Sequence, residues 1–321
     1  MPVNPGRWLA VSLLLATSLV ARAETPPEDW NGFDVSTLGV PRAGLANGGQ
    51  ARDGIPALTA PKFKPANEVA MGFEDRVVGV VVGDVARAYP RNVLVWHEVV
   101  NDRVGELPFV IVYSPLSGAV AGFSAKSDAG ADQFGVSGLV YNSGTLLFDH
   151  ASESLWLPME GLAIAGPRKG QRLTAIVATE TSWADWLTRY PKTQVLTADT
   201  GHQRPYGQDP YADYAANSEL RFPVTGHSDR YHPKEPVLVI GRDGHYRAYP
   251  FVELAGHDTP FTDTFAGATY RIDFNYPDQR VLVTDADGKP VPVATEYWFA
   301  WHASHPTDPV YTASPGSPAP R

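Results

Sequence analysis

Apolar and polar positions alternate over short stretches of this chain, and Gly or Pro interrupts the alternation every few residues. That rhythm predicts short strands and tight turns rather than long helices. Residues 77–82 read as a buried strand, Gly83-Asp84 as a turn and 85–89 as the returning strand, stopped by Pro90. Residues 91–96 suit one helical turn, 97–100 are again extended, 102–106 turn around Gly105, and 109–113 form a strand. Short strands and polar turns fill 119–170. Thr181-Ser182-Trp183 then starts the clearest helix, with Trp183, Trp186 and Leu187 on one face and Tyr190-Pro191 at its end. Residues 197–235 form a long Pro-, Tyr- and Asp-rich connection, and a loop of that length is usually functional or wraps another element.

Two inferences follow from spacing. If the hairpin turns near 104–105, His97 lies opposite Tyr113 and beside Ser114. The chain also repeats itself. Arg87-Ala88-Tyr89-Pro90 returns as Arg247-Ala248-Tyr249-Pro250, an offset of 160 (247 against 87), which also relates Leu94 to Leu254 and His97 to His257. Trp183 and Trp186, with Pro191 and Val195, return as Trp298, Trp301, Pro306 and Val310, an offset of 115 (298 against 183). The expected fold is therefore α+β, mainly antiparallel β with short helices, in two pseudo-repeated modules at 77–196 and 237–311. The second module lacks about 45 residues (160 against 115), broadly the 114–170 region. An irregular arm at 24–76, held down by Trp30, Phe33 and Phe63, precedes them. Residues 197–236 connect them, and a Pro/Ser/Gly tail at 312–321 follows.

Composition narrows the function. The chain has 321 residues, a net charge of −9 and no Lys/Arg run, which argues against nucleic acid as a partner. It has no cysteine, which removes disulfides, thiolate metal sites and cysteine nucleophiles. Residues 1–23 read as a secretory signal: Arg7 in a thin basic region, an apolar run, then Ala21-Arg22-Ala23 before Glu24. The apolar run is shorter than the ~20 residues that span a bilayer. The expectation is a periplasmic or secreted protein, cleaved after Ala23, with no stable membrane insertion afterwards.

The polar candidates cluster in the first module. His97 and Ser114 form the catalytic candidate, a base beside a hydroxyl nucleophile. Glu98, Asn101, Asp102, Ser117, Tyr141, Asn142, Ser143, Asp149 and Trp156 are the ligand-binding candidates. Each also has a structural account: a capping His, a turn Ser bonded to its own backbone, a surface Glu. His97-Glu98 is not a zinc-protease motif, because position 101 is Asn. Asp199, Asp209 and Asp213 match no calcium loop. No metal or other cofactor is assigned. The paired Trp residues, at helical spacing, read as packing.

The strings DGIPAL (53–58), ARAYP (86–90), HEVVND (97–102), YSPLSG (113–118), FGVSG (134–138), RPYGQDPYADY (204–214) and WFAWHASHP (298–306) together resemble a bacterial family known as domain of unknown function family 3179. YNS (141–143), SLW (154–156) and AGP (165–167) belong to the same resemblance, which covers nearly all of the chain after residue 23. It implies a CPLCG or CPLTG loop where this chain reads Ser114-Pro115-Leu116-Ser117-Gly118. A metal or redox role resting on that cysteine does not carry over. The leading expectation is an exported protein that binds a small molecule. The alternatives are a hydrolase using His97 and Ser114, and a structural or partner-binding protein. A cysteine restored at 114 is expected to be a reactive thiol, activated by His97.

Overall fold

The computed structural model describes residue 1, residues 29–127 and residues 130–313. The expected leader, its cleavage point and most of the tail lie outside the described residues. The described chain is β-rich, with mainly antiparallel sheets and a few short helices. No helix in it is long and apolar enough to cross a membrane.

The Val-rich strand Arg76–Val82 turns back as Val85–Pro90, in register from Val77 opposite Pro90 to Val82 opposite Val85. Thr179–Ser182 pairs with the outer edge of the first strand. Gln194–Leu196 joins the second strand in parallel and Phe63–Pro65 closes the sheet. The helix Trp183–Arg189 lies across this sheet. Its cap is Ser182, whose side chain accepts the Asp185 amide. Gly79 is what lets the helix sit so close, since a Cβ there would fall 2.1 Å from the Trp186 ring.

After Pro90 the helix Arg91–His97 is longer by one residue than the sequence suggests, and that residue changes the site. His97 closes the helix instead of opening a strand. The hairpin proper is Val99–Val104 with Leu107–Ser114, Val99 facing Val112. The expected pairing of His97 with Tyr113 is therefore wrong by one position. The Tyr113 amide donates to the Glu98 carbonyl. Ala119–Ser124 then pairs with Leu107–Ser114.

The later part of the chain has a similar order. Pro236–Arg242 and His245–Pro250 pair as a hairpin, Ala294–Tyr297 pairs with the first of them, and the helix Trp298–Ser304 follows. Ala248 bridges Val310 in parallel, at the positions that correspond by offset to Ala88 and Val195. A meander, Phe261–Phe265, Ala268–Asn275 and Arg280–Thr284, stands where the first part has 99–124. One ladder pair, Thr295 opposite Val120, joins the two parts into a six-stranded sheet.

Between 124 and 179 the first part carries a further sheet, Leu162–Ala165, Leu155–Leu157, Gly144–Asp149 and Phe134–Tyr141. Its last member is the arm strand Leu45–Asn47. The arm is thus less irregular than its composition suggests. It gives one strand to each of two sheets, and Phe33 is buried 5.1 Å from Phe148.

Candidate functional site

Three elements converge on Glu98. The first is its own backbone. The helix ends at His97 and the chain must reverse into Val99–Val104, so Glu98 takes φ +58°, ψ −30°. Glycine is the usual residue in that position. A side chain there costs about 1 kcal/mol or more, and such strain concentrates at functional sites. The second element is the strand pair Phe134–Tyr141 and Gly144–Asp149. Their register is regular to Val136–Leu147, resumes at Val140–Thr145, and leaves 137–139 opposite Leu146 alone. This bulge bends the strand and opens a space beside it. Gly138 sits at its centre with φ +76°, and a Cβ there would meet the Gln50 carbonyl at 2.2 Å. No other residue fits that position.

The third element is the long connection. Tyr214 Oη donates to the Leu116 carbonyl (2.8 Å), Asn142 Oδ1 accepts from both the amide and the hydroxyl of Thr225, and Trp96 Nε1 donates to the Gln208 carbonyl. Lys234 anchors the far side. Its buried ammonium donates to the carbonyls of Tyr214, Asn217 and Glu219 and lies 3.6 Å from the centre of the Tyr214 ring. Arg221 stacks over Tyr211 and Tyr214, at 4.7 and 5.0 Å from the ring centres.

The result is a cavity of about 160 Å³. Glu98, Val136, Gly138, Leu139 and Thr145 form its buried floor, Tyr211 and Phe222 one wall, and Gln50 and Arg221 its exposed rim. Thr145 Oγ1 donates to Glu98 Oε2 (2.7 Å), so the Ser114 hydroxyl, 3.2 Å away, donates to Thr145, and the Thr145 amide donates to Ser114. Burial pushes the Glu98 carboxyl up to about 7, against the opposing pull of the Thr145 hydrogen bond. Burial, with the Glu98 charge second, pushes the Tyr211 phenol up to about 12.

The geometry corrects several expectations. His97 does not meet Ser114. Its Nδ1 donates to the Pro56 carbonyl and its Nε2 accepts from Tyr206 Oη, both at 2.7 Å. Burial lowers its pKa, which keeps this neutral tautomer. The Asn101 side chain ties Leu58 and Phe134 together: its Nδ2 donates to both carbonyls and its Oδ1 accepts the Phe134 amide. Asp102 is paired with Arg87 and Tyr89. Asp149 accepts from Ser152 and from Trp156 Nε1, and Trp156 is core against Phe134 rather than a ligand wall. Ser117, Tyr141 and Asn142 line a separate space of about 20 Å³ beside Glu296, and Ser143 is buried in the adjoining turn. Of the expected site residues, Glu98 lines the 160 Å³ cavity and Ser114 reaches it through Thr145. Thr145, Tyr211, Arg221, Phe222 and Gln50 were not singled out.

A larger cavity, about 510 Å³, lies elsewhere, between residues 121–123 and 239–246. Its charged groups satisfy one another: Arg172 with Tyr246 Oη and the Glu160 carbonyl, Arg242 with Asp243, Glu160 with His305. Size alone does not make it the site. Among the described residues no group of three or more His, Asp or Glu is placed to hold a metal ion.

The Ser114 environment also reverses the expectation for a restored thiol. Ser114 is fully buried and its hydroxyl hydrogen bond is to Thr145. In Ser114→Cys the thiol is expected to react with a disulfide reagent on the order of 100-fold more slowly in the folded protein than in denaturant, because burial raises a thiol pKa. Adding His97→Ala is expected to change nothing. A thiol that reacts fast in the folded protein and slows with His97→Ala would restore the original register.

Residues 52–308 match the profile of a family described as Protein of unknown function (DUF3179). No curated protein and no solved structure matches the chain.

Proposed function

This chain belongs to the DUF3179 family, and we propose that it is an exported small-ligand-binding protein whose site is the Glu98 cavity. One observation carries the reading. A carboxyl held on a strained residue at the floor of a cavity walled by Ile55, Leu116, Val140 and Phe222 has, among the described residues, a single hydrogen-bond partner, Thr145. Apolar pockets with a few convergent polar groups are the usual form of a small-molecule site. Export rests on the leader-like pattern of residues 1–23.

The same reading treats the chain as two pseudo-repeated modules with the site on the first. The matched hairpins, the matched parallel contacts of Ala88 and Ala248, and the matched trios Arg87, Tyr89, Asp102 and Arg247, Tyr249, Asp263 support it. Among the described residues the sheet that carries the bulge has no counterpart in the second module.

The test is a thermal-shift survey of small amines, carboxylic acids and sugars, run on the natural protein and on Ile55→Trp, which fills the cavity from its half-buried wall. At least one class is expected to raise the melting temperature of the first and not of the second. No stabilising class, or equal stabilisation of both proteins, would overturn the reading.

A further inference from the structure

We infer that the ligand of the Glu98 cavity is a small organic cation, an ammonium group on a short apolar body, set between the Glu98 carboxylate and the ring of Tyr211. The inference rests on the cavity being a ligand site and adds the ligand's chemistry.

Charge balance points to it. Glu98 is 2% exposed, and among the described residues only one of its oxygens has a protein donor. Among the described residues no Lys, Arg or His forms an ion pair with it, although 14 such pairs occur elsewhere. The one cation lining the cavity, Arg221, stands at the exposed rim on the faces of Tyr211 and Tyr214. A buried carboxylate without a countercharge is costly, so it either holds a proton or acquires a cation from outside. An anionic ligand would set a second negative charge beside it. A neutral one would compensate no charge and leave the carboxyl to hold its proton.

The aromatic wall agrees. Arg221 already places a cation on the Tyr211 face, so that face takes positive charge. The remaining walls, including Ile55, Leu116, Val140 and Phe222, suit an apolar body and offer no carboxylate besides Glu98.

Binding then displaces the Glu98 proton. The titratable and charged groups facing Glu98 are Tyr211 and Arg221, both from the connection, while the neighbouring His97 turns toward Pro56 and Tyr206. Tyr211, pushed up to about 12, stays neutral below pH 9, so Glu98 is the group that changes between pH 6 and 8. With a carboxyl near 7, roughly a tenth is ionised at pH 6 and nine tenths at pH 8.

The experiment is calorimetric titration with n-butylammonium, butyrate and 1-butanol at millimolar concentration, at pH 6 and pH 8. Butylammonium is expected to bind about tenfold more tightly at pH 8, with about half a proton released per ligand at pH 7. Glu98→Gln is expected to remove both the pH dependence and at least ~90% of the affinity at pH 8. Tyr211→Ala, which removes the ring, is expected to weaken binding several-fold. Butyrate or butanol binding better than butylammonium, in a manner Ile55→Trp abolishes, would overturn the cation and leave the ligand site standing. So would butylammonium binding that Glu98→Gln leaves unchanged. None of the three binding would overturn the cation, and with no stabilising class in the thermal-shift survey it would overturn both.

Discussion

Asp102→Ala is expected to destabilise the protein by about 3–5 kcal/mol, the range for removing one partner of a buried charged pair. The Asp102 side chain is 5% exposed. One of its oxygens pairs with Arg87 Nη1 and the other accepts the Tyr89 hydroxyl. The Arg87 guanidinium lies flat on Phe63, 4.2 Å from the ring centre, and Tyr89 is wholly buried. The Tyr89 hydroxyl cannot turn to water when the carboxylate is removed and is left buried and unpaired, while Arg87 loses its countercharge and keeps the Arg103 carbonyl. The counterpart trio is the internal control. Asp263 also holds Arg247 and Tyr249, both at Oδ2, but the acid is 17% exposed and the Arg 22%. Asp263→Ala is expected to cost about half as much, since water reaches the groups it strands. Urea unfolding of both variants decides it. Equal losses would show that burial does not set the difference.

Glu98→Gln is expected to do the opposite and stabilise the protein at pH 8. A carboxyl that titrates near 4.5 in the unfolded chain and near 7 in the folded one binds its proton more tightly when folded. Stability is therefore highest below 4.5 and falls as pH rises through 7. At ~1.4 kcal/mol per pKa unit the loss is about 3 kcal/mol, all of it present by pH 8. Gln cannot ionise and still accepts from Thr145, so it avoids the loss. The buried Glu296 near Glu160, also pushed well up, shifts both proteins in the same direction and cancels in the comparison. Unfolding midpoints at pH 5 and pH 8 give the result. A Glu98→Gln advantage that does not grow with pH would mean that Glu98 carries no raised pKa. Together with weaker binding of a cation, this variant would show a site that gives up stability for a ligand.

The sequence showed the strands of this protein more clearly than its site. The hairpins at 76–90 and 99–114 follow from Val-rich runs broken at Gly83 and Gly105. The helix at 183–189 follows from its capping Ser and the spacing of its two Trp residues. The site turned on one residue. A helix of seven residues has no periodicity long enough to say whether its last member is Trp96 or His97, and that choice decides which of His97 and Glu98 meets the next strand. Nothing local marks Glu98 as left-handed, because Gly or Asn is the usual signal. Polar residues such as Asp149 and Asp102 looked chemical because they are clustered, but their partners, Trp156, Arg87 and Tyr89, lie 7–15 residues away and use them for packing. The Tyr-rich connection was recognisable as a covering segment. Which strand it covers is set by Tyr214 and Thr225, whose partners Leu116 and Asn142 are distant in sequence.

The bulge at 137–139 makes the cavity a matter of chain length as well as side chains. Between Val136 and Val140 the strand holds two more residues than its partner needs. Two is an even number, so inward and outward positions keep their sides on either flank of the bulge. Loss or gain of a residue pair there would close or widen the chamber and leave the rest of the sheet in step. Loss of a single residue would turn one flank inside out. The pocket can therefore evolve in steps of two along its strand, a route that point substitution at Glu98 or Thr145 does not offer.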